Sequence, residues 1–133
     1  MISLKHRSNY KQTNESLREN VKNLKNPDDL KYLDVSEVTD MSELFLNSDF
    51  NGDISEWDVS NVTNMNSMFY GSKFNGDISK WDVSNVTDME WMFLKSEFNR
   101  DISKWNVQNV RNYDLCFWFS PLENQPNKQP KFR

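Results

Sequence analysis

Aspartates at a constant spacing are the residues in this sequence best suited to chemistry. Two series recur at intervals of 24 residues: Asp34, Asp58 and Asp82 in one, and Asp53, Asp77 and Asp101 in the other. In neighbouring strands, equivalent carboxylates would lie roughly 4.8 Å apart, and calcium prefers such oxygen ligands. Aspartates at turns more often accept hydrogen bonds from their own backbone. This turn interpretation explains the repetition without a metal, so we predict no metal site.

Residues for nucleophilic or metal-dependent catalysis are scarce. The sequence has one histidine, His6, and one cysteine, Cys116, which takes the position that other repeats fill with Met68 and Met92. Such a cysteine packs as a small apolar residue, and a Cys–His nucleophile pair is not expected. The sequence has no glycine-rich phosphate loop and no clustered metal-ligand spacing. We therefore predict no catalytic residue, no cofactor and no enzymatic activity.

The aspartates belong to a repeated unit. Residues 50–69 occur almost unchanged at 74–93, and Trp57, Trp81 and Trp105 follow one another at 24-residue intervals. Self-similarity at a fixed period of this size indicates a repeat architecture. The sequence divides into four units, which span residues 33–56, 57–80, 81–104 and a shortened 105–120.

Each unit carries the pattern of a strand followed by a short helix. Trp-Asp-Val alternates inward and outward residues, which predicts a half-buried strand. Thr39, Thr63 and Thr87 resemble helix N-caps, and Thr87 with Glu90 has capping-box spacing. The Met-x-x-Met-Phe run that follows has the i, i+3, i+4 spacing of an inward helical stripe. We expect strand–turn–helix coils that stack to form a small parallel sheet.

The two ends of the chain differ from the repeats. Thr13 is a predicted N-cap for a helix with an apolar stripe that ends before Pro27. Such a helix suits the cover that terminal repeats need. Residues 121–133 are rich in Pro, Gln and Asn, which favours either disorder or an extended cover. We predict a loosely held arm and capping helix over residues 1–32, a repeat region over 33–120 and a tail over 121–133.

The charge balance limits the class of partner. The chain has a net charge of −4, and residues 27–120 hold seven Lys or Arg against seventeen Asp or Glu. A protein that binds nucleic acid needs clustered Lys and Arg, so we do not expect that partner. No apolar run reaches membrane-spanning length. The first residues lack the apolar segment of a secretory signal, and we expect a cytoplasmic protein.

The repeat, written Phe-Asn-Gly-Asp-Ile-Ser-x-Trp-Asp-Val-Ser-Asn-Val-Thr-x-Met-x-x-Met-Phe, resembles the BspA-like bacterial surface-protein repeat, also known as DUF285. The resemblance covers residues 33–120, and the segment that begins at Asn9 is similar to the capping helix of short members. It implies a solenoid with an adhesion or protein-binding role and no catalytic residues to transfer. Members of the family are often found at the cell surface. We therefore predict an α/β repeat solenoid, leucine-rich-repeat-like, with about four 24-residue strand–turn–helix coils and an N-terminal capping helix.

We expect a second protein to bind the exposed face of the predicted sheet. Side chains at fixed spacing suit recognition because little ordering entropy is lost on binding. The predicted partner-binding residues are Tyr32, Asp34, Glu56, Asp58, Lys80, Asp82, Lys104 and Asn106. Two alternatives remain open, namely an intracellular inhibitor or immunity-type protein that blocks an enzyme, and a calcium-stabilised surface adhesin.

A second surface is predicted where apolar residues interrupt the repeat. These residues are Trp91, Leu94, Leu115 and Trp118. Two large aromatics in water forfeit roughly 1.5–3 kcal/mol each, so we expect something to cover them. Either a second copy packs there as a weak homodimer, or the tail folds back and lays Leu122 and Phe132 on them.

Overall fold

The computed structural model describes residues 11–133. It has one α-helix, α1 (Asn14–Lys22), and short 3₁₀ helices at Pro27–Leu30, Pro121–Asn124 and Pro126–Lys128. Between residues 31 and 120 the described chain is made of turns and extended segments. Its only β-structure is a set of isolated parallel bridges. The bridges join Lys11 with Asp34, and then Asp40, Asn64, Asp88 and Asn112 in succession.

Helix α1 begins where its sequence predicts. The Thr13 hydroxyl accepts from the Ser16 N–H at 3.0 Å, and the Ser16 hydroxyl accepts from the Thr13 N–H at 2.9 Å, which completes a capping box. Leu17 is buried in the core, and Val21 and Leu24 pack against it. The predicted capping helix is therefore present, and it ends before Pro27. The predicted loose arm lies largely outside the described residues, and so does His6.

The predicted leucine-rich-repeat-like α/β solenoid is wrong. Among residues 11–133 the structure has one α-helix and no sheet, so the units are not strand–turn–helix coils. The helices fail because Glu43, Ser67, Trp91 and Leu115 have φ between 51° and 61°, which lies outside the right-handed helical region. The predicted strands do not form because backbone groups of these segments make hydrogen bonds within turns, as when the Val62 N–H donates to the Val59 carbonyl at 2.9 Å.

The predicted threonine caps are also wrong. The Thr87 hydroxyl donates to the Thr63 carbonyl of the preceding unit at 3.2 Å. The Glu90 N–H finds its partner in the Asp88 side chain at 2.9 Å, so Thr87 and Glu90 form no capping box. Thr39, Thr63 and Thr87 occupy the same place in the first three units, and the hydroxyls of Thr63 and Thr87 bond the preceding unit.

Backbone hydrogen bonds connect each 24-residue unit to the next, and one segment of each unit bonds with a fixed polarity. Four alternate N–H groups of one unit donate to carbonyl groups of the following unit, at 2.7–3.0 Å. At the first junction the donors are Met41, Glu43, Phe45 and Asn47, and the acceptors are Asn64, Asn66, Met68 and Tyr70. In this segment the carbonyls face the preceding unit and the N–H groups face the following one. Just before it the direction is reversed, since the carbonyls of Thr39, Thr63 and Thr87 accept from N–H groups of the following unit. The stack has an acceptor end near α1 and a donor end near the tail.

Aromatic columns fill the core between the units. The Trp57 and Trp81 rings lie 6.5 Å apart and within 3° of parallel, and Trp105 continues the column. Phe45, Phe69, Phe93 and Phe117 form a second column at 5.5–5.7 Å. Each indole N–H of the tryptophan column donates to a buried carbonyl, as from Trp81 to Ile54 at 3.1 Å. The prediction that these tryptophans point inward is confirmed, because all three are buried.

The tail covers the last unit. Leu122 is fully buried, and the Ile102 N–H donates to the Lys128 carbonyl at 3.0 Å. The Phe132 ring stacks on Tyr113 with centroids 4.3 Å apart. Of the two predicted forms of the tail, the structure has the cover, but two 3₁₀ helices replace much of the predicted extended chain. The division at residues 32 and 120 stays a prediction.

Candidate interaction surface

The first aspartate series lies in turns, because the predicted sheet face does not exist. The Asp82 carboxylate accepts from the Ser84 hydroxyl at 2.6 Å and from the Ser84 N–H at 3.0 Å. Asp34 and Ser36 have the same geometry. The serine hydroxyl lowers the pKa of Asp34 and of Asp82, and the backbone N–H lowers it further. These carboxylates are held ionised by their own neighbours.

Seven of the eight predicted partner-binding residues are exposed, and Asp34 is half-buried. They follow the repeat from unit to unit and remain available to a partner. Four of them, Asp34, Asp58, Asp82 and Asn106, also accept a hydrogen bond from the N–H two residues later.

The second aspartate series also binds serine. The Asp53 carboxylate accepts from the Ser55 hydroxyl at 2.7 Å, which lowers the pKa of Asp53. Among residues 11–133 no group of three or more His, Cys, Asp or Glu is close enough to hold a metal ion. This part of the chain also has no helix long and apolar enough to cross a membrane.

Cys116 lies in the core, as predicted from its position in the repeat. Burial raises the pKa of its thiol well above the ordinary value. A buried neutral thiol is a poor nucleophile, so its packing role accounts for it.

Large apolar side chains reach solvent on the later units. We call Trp91, Leu115, Trp118 and Phe119 the apolar ridge; their exposed fractions are 41%, 47%, 42% and 60%. Trp118 and Phe119 stack with ring centroids 4.3 Å apart. Trp91 meets the edge of Tyr70 at 6.4 Å.

The expected exposure of Leu94 is wrong, because Leu94 is only 5% exposed. It lies in the same column as Tyr70 and Trp118, whose larger side chains stand on either side. The tail does not cover the ridge as one alternative predicted, because Leu122 is in the core and Phe132 stacks on Tyr113.

The backbone of the ridge is strained, and the sequence analysis missed this. Trp91, Leu115 and Phe119 have φ of 61°, 51° and 55°. The left-handed region costs a residue with a Cβ about 1–2 kcal/mol, and bulky residues there are rare. Gly71, with φ of 65°, occupies the same column as Phe119. That glycine, and Asn47 in the same column with φ of 53°, were the sequence signals for the left-handed position.

The donor end of the stack lies beside the ridge. In the preceding unit, the N–H groups of Met89, Trp91, Phe93 and Lys95 donate to the last unit. Their counterparts in the last unit are Tyr113, Leu115, Phe117 and Phe119. Phe119 donates to the Glu123 carboxylate at 3.2 Å. For the other three, residues 11–133 supply no acceptor. We call the N–H groups of Tyr113, Leu115 and Phe117 the donor edge.

Charged residues of both signs lie near the donor edge, where Asp114 and Glu123 are exposed. Arg111, Lys131 and Arg133 are exposed, and the Arg133 carbonyl accepts from the Tyr113 hydroxyl at 2.9 Å. Residues 27–120 as a whole are strongly acidic. This end of the molecule therefore combines cations, backbone donors and apolar side chains.

These features define a protein of stacked 24-residue units, closed at one end by a helix and at the other by its own tail. The chain belongs to the family described as Mycoplasma protein of unknown function, DUF285, whose model matches residues 13–129. This confirms the resemblance drawn from the repeat sequence. Comparison with curated proteins and with solved structures gave no match.

Proposed function

We propose that the protein is a non-enzymatic module that binds another protein through the apolar ridge. The observation that carries the proposal is that bulky residues occupy strained positions and yet remain exposed. Glycine or asparagine would fit the same backbone with less strain. Strain that persists at an exposed site often accompanies function.

The composition of the ridge supports a protein partner. Tryptophan and other aromatics are enriched in the anchors of protein interfaces. Trp91 and Trp118 are about two-fifths exposed, so each has apolar area left to bury. The buried thiol of Cys116 and the serine-bound aspartates supply no reactive group beside the ridge.

The test is a pull-down from the source cell extract followed by mass spectrometry, with matched variants. Trp91→Gly with Leu115→Gly removes two ridge side chains and suits the positive φ of both positions. The control, Glu43→Gly with Lys95→Gly, has the same backbone effect at φ of 58° and 59° and removes polar side chains only.

We expect a partner that wild type and control retain and the ridge variant loses. Equal retention by all three would overturn the proposal. Sedimentation of the same proteins, together with Trp91→Glu, checks the alternative occupant, which is a second copy. A wild type that dimerises and a Trp91→Glu variant that stays monomeric would make the ridge a homodimer contact.

The acidic turns are the second candidate surface. Hydrogen bonds from neighbouring serines keep the carboxylates of Asp34 and Asp82 ionised, which supports this candidate. A carboxylate held ionised attracts a basic partner and speeds association. This arrangement suits the inhibitor alternative, in which the acidic repeats block a basic site on an enzyme. Asp58→Lys with Asp82→Lys should then abolish binding, whereas the ridge variant should not.

A further inference from the structure

The N–H groups of the donor edge are spaced to pair with a row of hydrogen-bond acceptors. At the junction before it, the distances from Met89, Trp91 and Phe93 N–H groups to carbonyls of the last unit are 2.7, 3.0 and 2.8 Å. The donor edge repeats these donors one unit further on. An extended polypeptide that presents carbonyls at alternate residues has the matching spacing.

The chain itself shows what kind of acceptor pairs with the donor end. The neighbouring N–H of Phe119 donates to the carboxylate of Glu123. The tail supplies this oxygen acceptor and ends the row there. Leu115 and Tyr113 have 47% and 39% of their surface exposed, so the row reaches solvent at these two residues. Phe117 is only 8% exposed and its ring packs against Phe132 of the tail, so the row is covered there.

A second copy of the chain does not complement the donor edge. Two donor edges related by a two-fold axis would set N–H groups against N–H groups. The acceptor end of another copy is partly occupied, because Arg18 of α1 donates to the Ser42 carbonyl at 2.7 Å. The occupant must bring carbonyls from elsewhere.

The surroundings of the edge specify the rest of the partner. Arg111, Lys131 and Arg133 favour acidic side chains. The apolar ridge, which includes Leu115 itself, favours apolar ones. Alternation along an extended segment would place one kind on each side.

We propose that the donor edge binds an extended segment of another protein, with acidic and apolar residues, whose backbone carbonyls accept from Tyr113 and Leu115. Its apolar side chains lie on the apolar ridge and its carboxylates lie near Arg111 and Arg133. The inference rests on the proposed function and names the kind of partner.

The test uses a displayed library of random linear peptides, selected on the full chain. We expect acidic and apolar peptides. A selected peptide should slow hydrogen exchange of the Leu115 and Tyr113 amides by about tenfold or more, because new hydrogen bonds protect them. The Trp91 amide, already bonded to the Asp114 carbonyl at 3.0 Å, is the internal control and should not change.

Two charge-reversal variants test whether the cations near the donor edge bind the acidic side chains of the peptide. Arg111→Glu with Arg133→Glu should weaken the peptide by about tenfold at low salt. Lys73→Glu, an exposed charge reversal in an earlier unit, should leave the affinity unchanged. Equal weakening by both would overturn the assignment of the acidic side chains to this end.

The remaining outcomes distinguish the two proposals. A peptide that needs Trp91 and does not protect the Leu115 amide would overturn the donor edge and keep the ridge as the binding site. A library that yields no binder would overturn the donor edge, and the pull-down would still test the ridge. Protection of Leu115 that rises with protein concentration alone would make a second copy the occupant and overturn the proposal.

Discussion

The Arg18 guanidinium donates to the Ser42 carbonyl at 2.7 Å, in the place where a preceding unit would supply a backbone N–H. One unit later the equivalent carbonyl, that of Asn66, accepts from the Glu43 N–H at 2.9 Å. Asn14 replaces an acceptor of the missing unit, since its side-chain oxygen accepts from the Thr39 N–H at 3.0 Å. One unit later the Thr39 carbonyl accepts from the Thr63 N–H at 2.9 Å. Helix α1 thus ends the stack with side chains that imitate a missing unit.

Arg18→Ala should therefore destabilise the fold. It leaves the Ser42 carbonyl without its charged donor, a loss of about 1.5–3 kcal/mol by analogy with other charged hydrogen bonds. Its ion pair with Asp40 adds little because both side chains are partly exposed, at 38% and 43%. Urea unfolding would measure the change. Lys22→Ala, on the same helix, is the matched control, and an equal effect of both would refute the capping role of Arg18.

Trp81→Ala should be among the most damaging substitutions. Trp81 is buried between Trp57 and Trp105 at centroid distances of 6.5 Å, and its indole N–H satisfies the Ile54 carbonyl. The cavity should cost about 3–5 kcal/mol. Thermal melting checks this, with Trp81→Phe as a milder variant. A melting temperature within a degree or two of wild type would contradict the stacked column.

Removing glycine from a left-handed position in one unit and introducing it at the equivalent position in the next should have opposite effects on stability. Gly71→Ala should destabilise, because a Cβ there meets the Asn47 side chain and φ is 65°. Lys95→Gly, at the equivalent place with φ of 59°, should stabilise by about 0.5–1 kcal/mol, which is the relief of strain less the entropy of the unfolded glycine. Chemical unfolding of both variants would measure the pair. A loss of stability in Lys95→Gly would argue against strain in this column.

Stability should fall in acid. The pKa of Asp34 and that of Asp82 are lowered in the folded state from an ordinary value of 3.8. Their contribution is therefore complete above about pH 5, begins to fall near the unfolded pKa and is lost as pH falls through the folded pKa. Ser36→Ala with Ser84→Ala removes the hydroxyl donors and should flatten this dependence. Unfolding measured between neutral and acid pH would show it, and identical slopes would contradict the assignment.

Calcium should not change the melting temperature. The carboxylates of Asp53 and Asp82 already accept from Ser55 and Ser84, so binding a cation would disturb satisfied turns. Melting curves with EDTA and with millimolar calcium should superimpose. An upward shift of several degrees with calcium would support the adhesin alternative, because a ligand that binds the folded state raises its stability.

The sequence by itself determined the 24-residue period, the inward tryptophans and the capping helix. Each depends on local chemistry or on simple recurrence. Trp81 is apolar at a repeated place, and Thr13 with Ser16 caps a helix from within one turn of chain. The family also followed from the repeat, because long runs of Trp-Asp-Val-Ser-Asn-Val-Thr are specific.

Only the tertiary structure decided what lies between the tryptophans. Met65, Met68 and Phe69 have the spacing of a helical stripe, and they are buried as that stripe requires. The same inward positions arise from turns whose N–H groups bond the next unit, as from Met65 to Asp88 at 2.9 Å. Burial pattern cannot distinguish a partner four residues back from one about a unit ahead. The donor edge, which depends wholly on those non-local bonds, could be found only once the units were stacked.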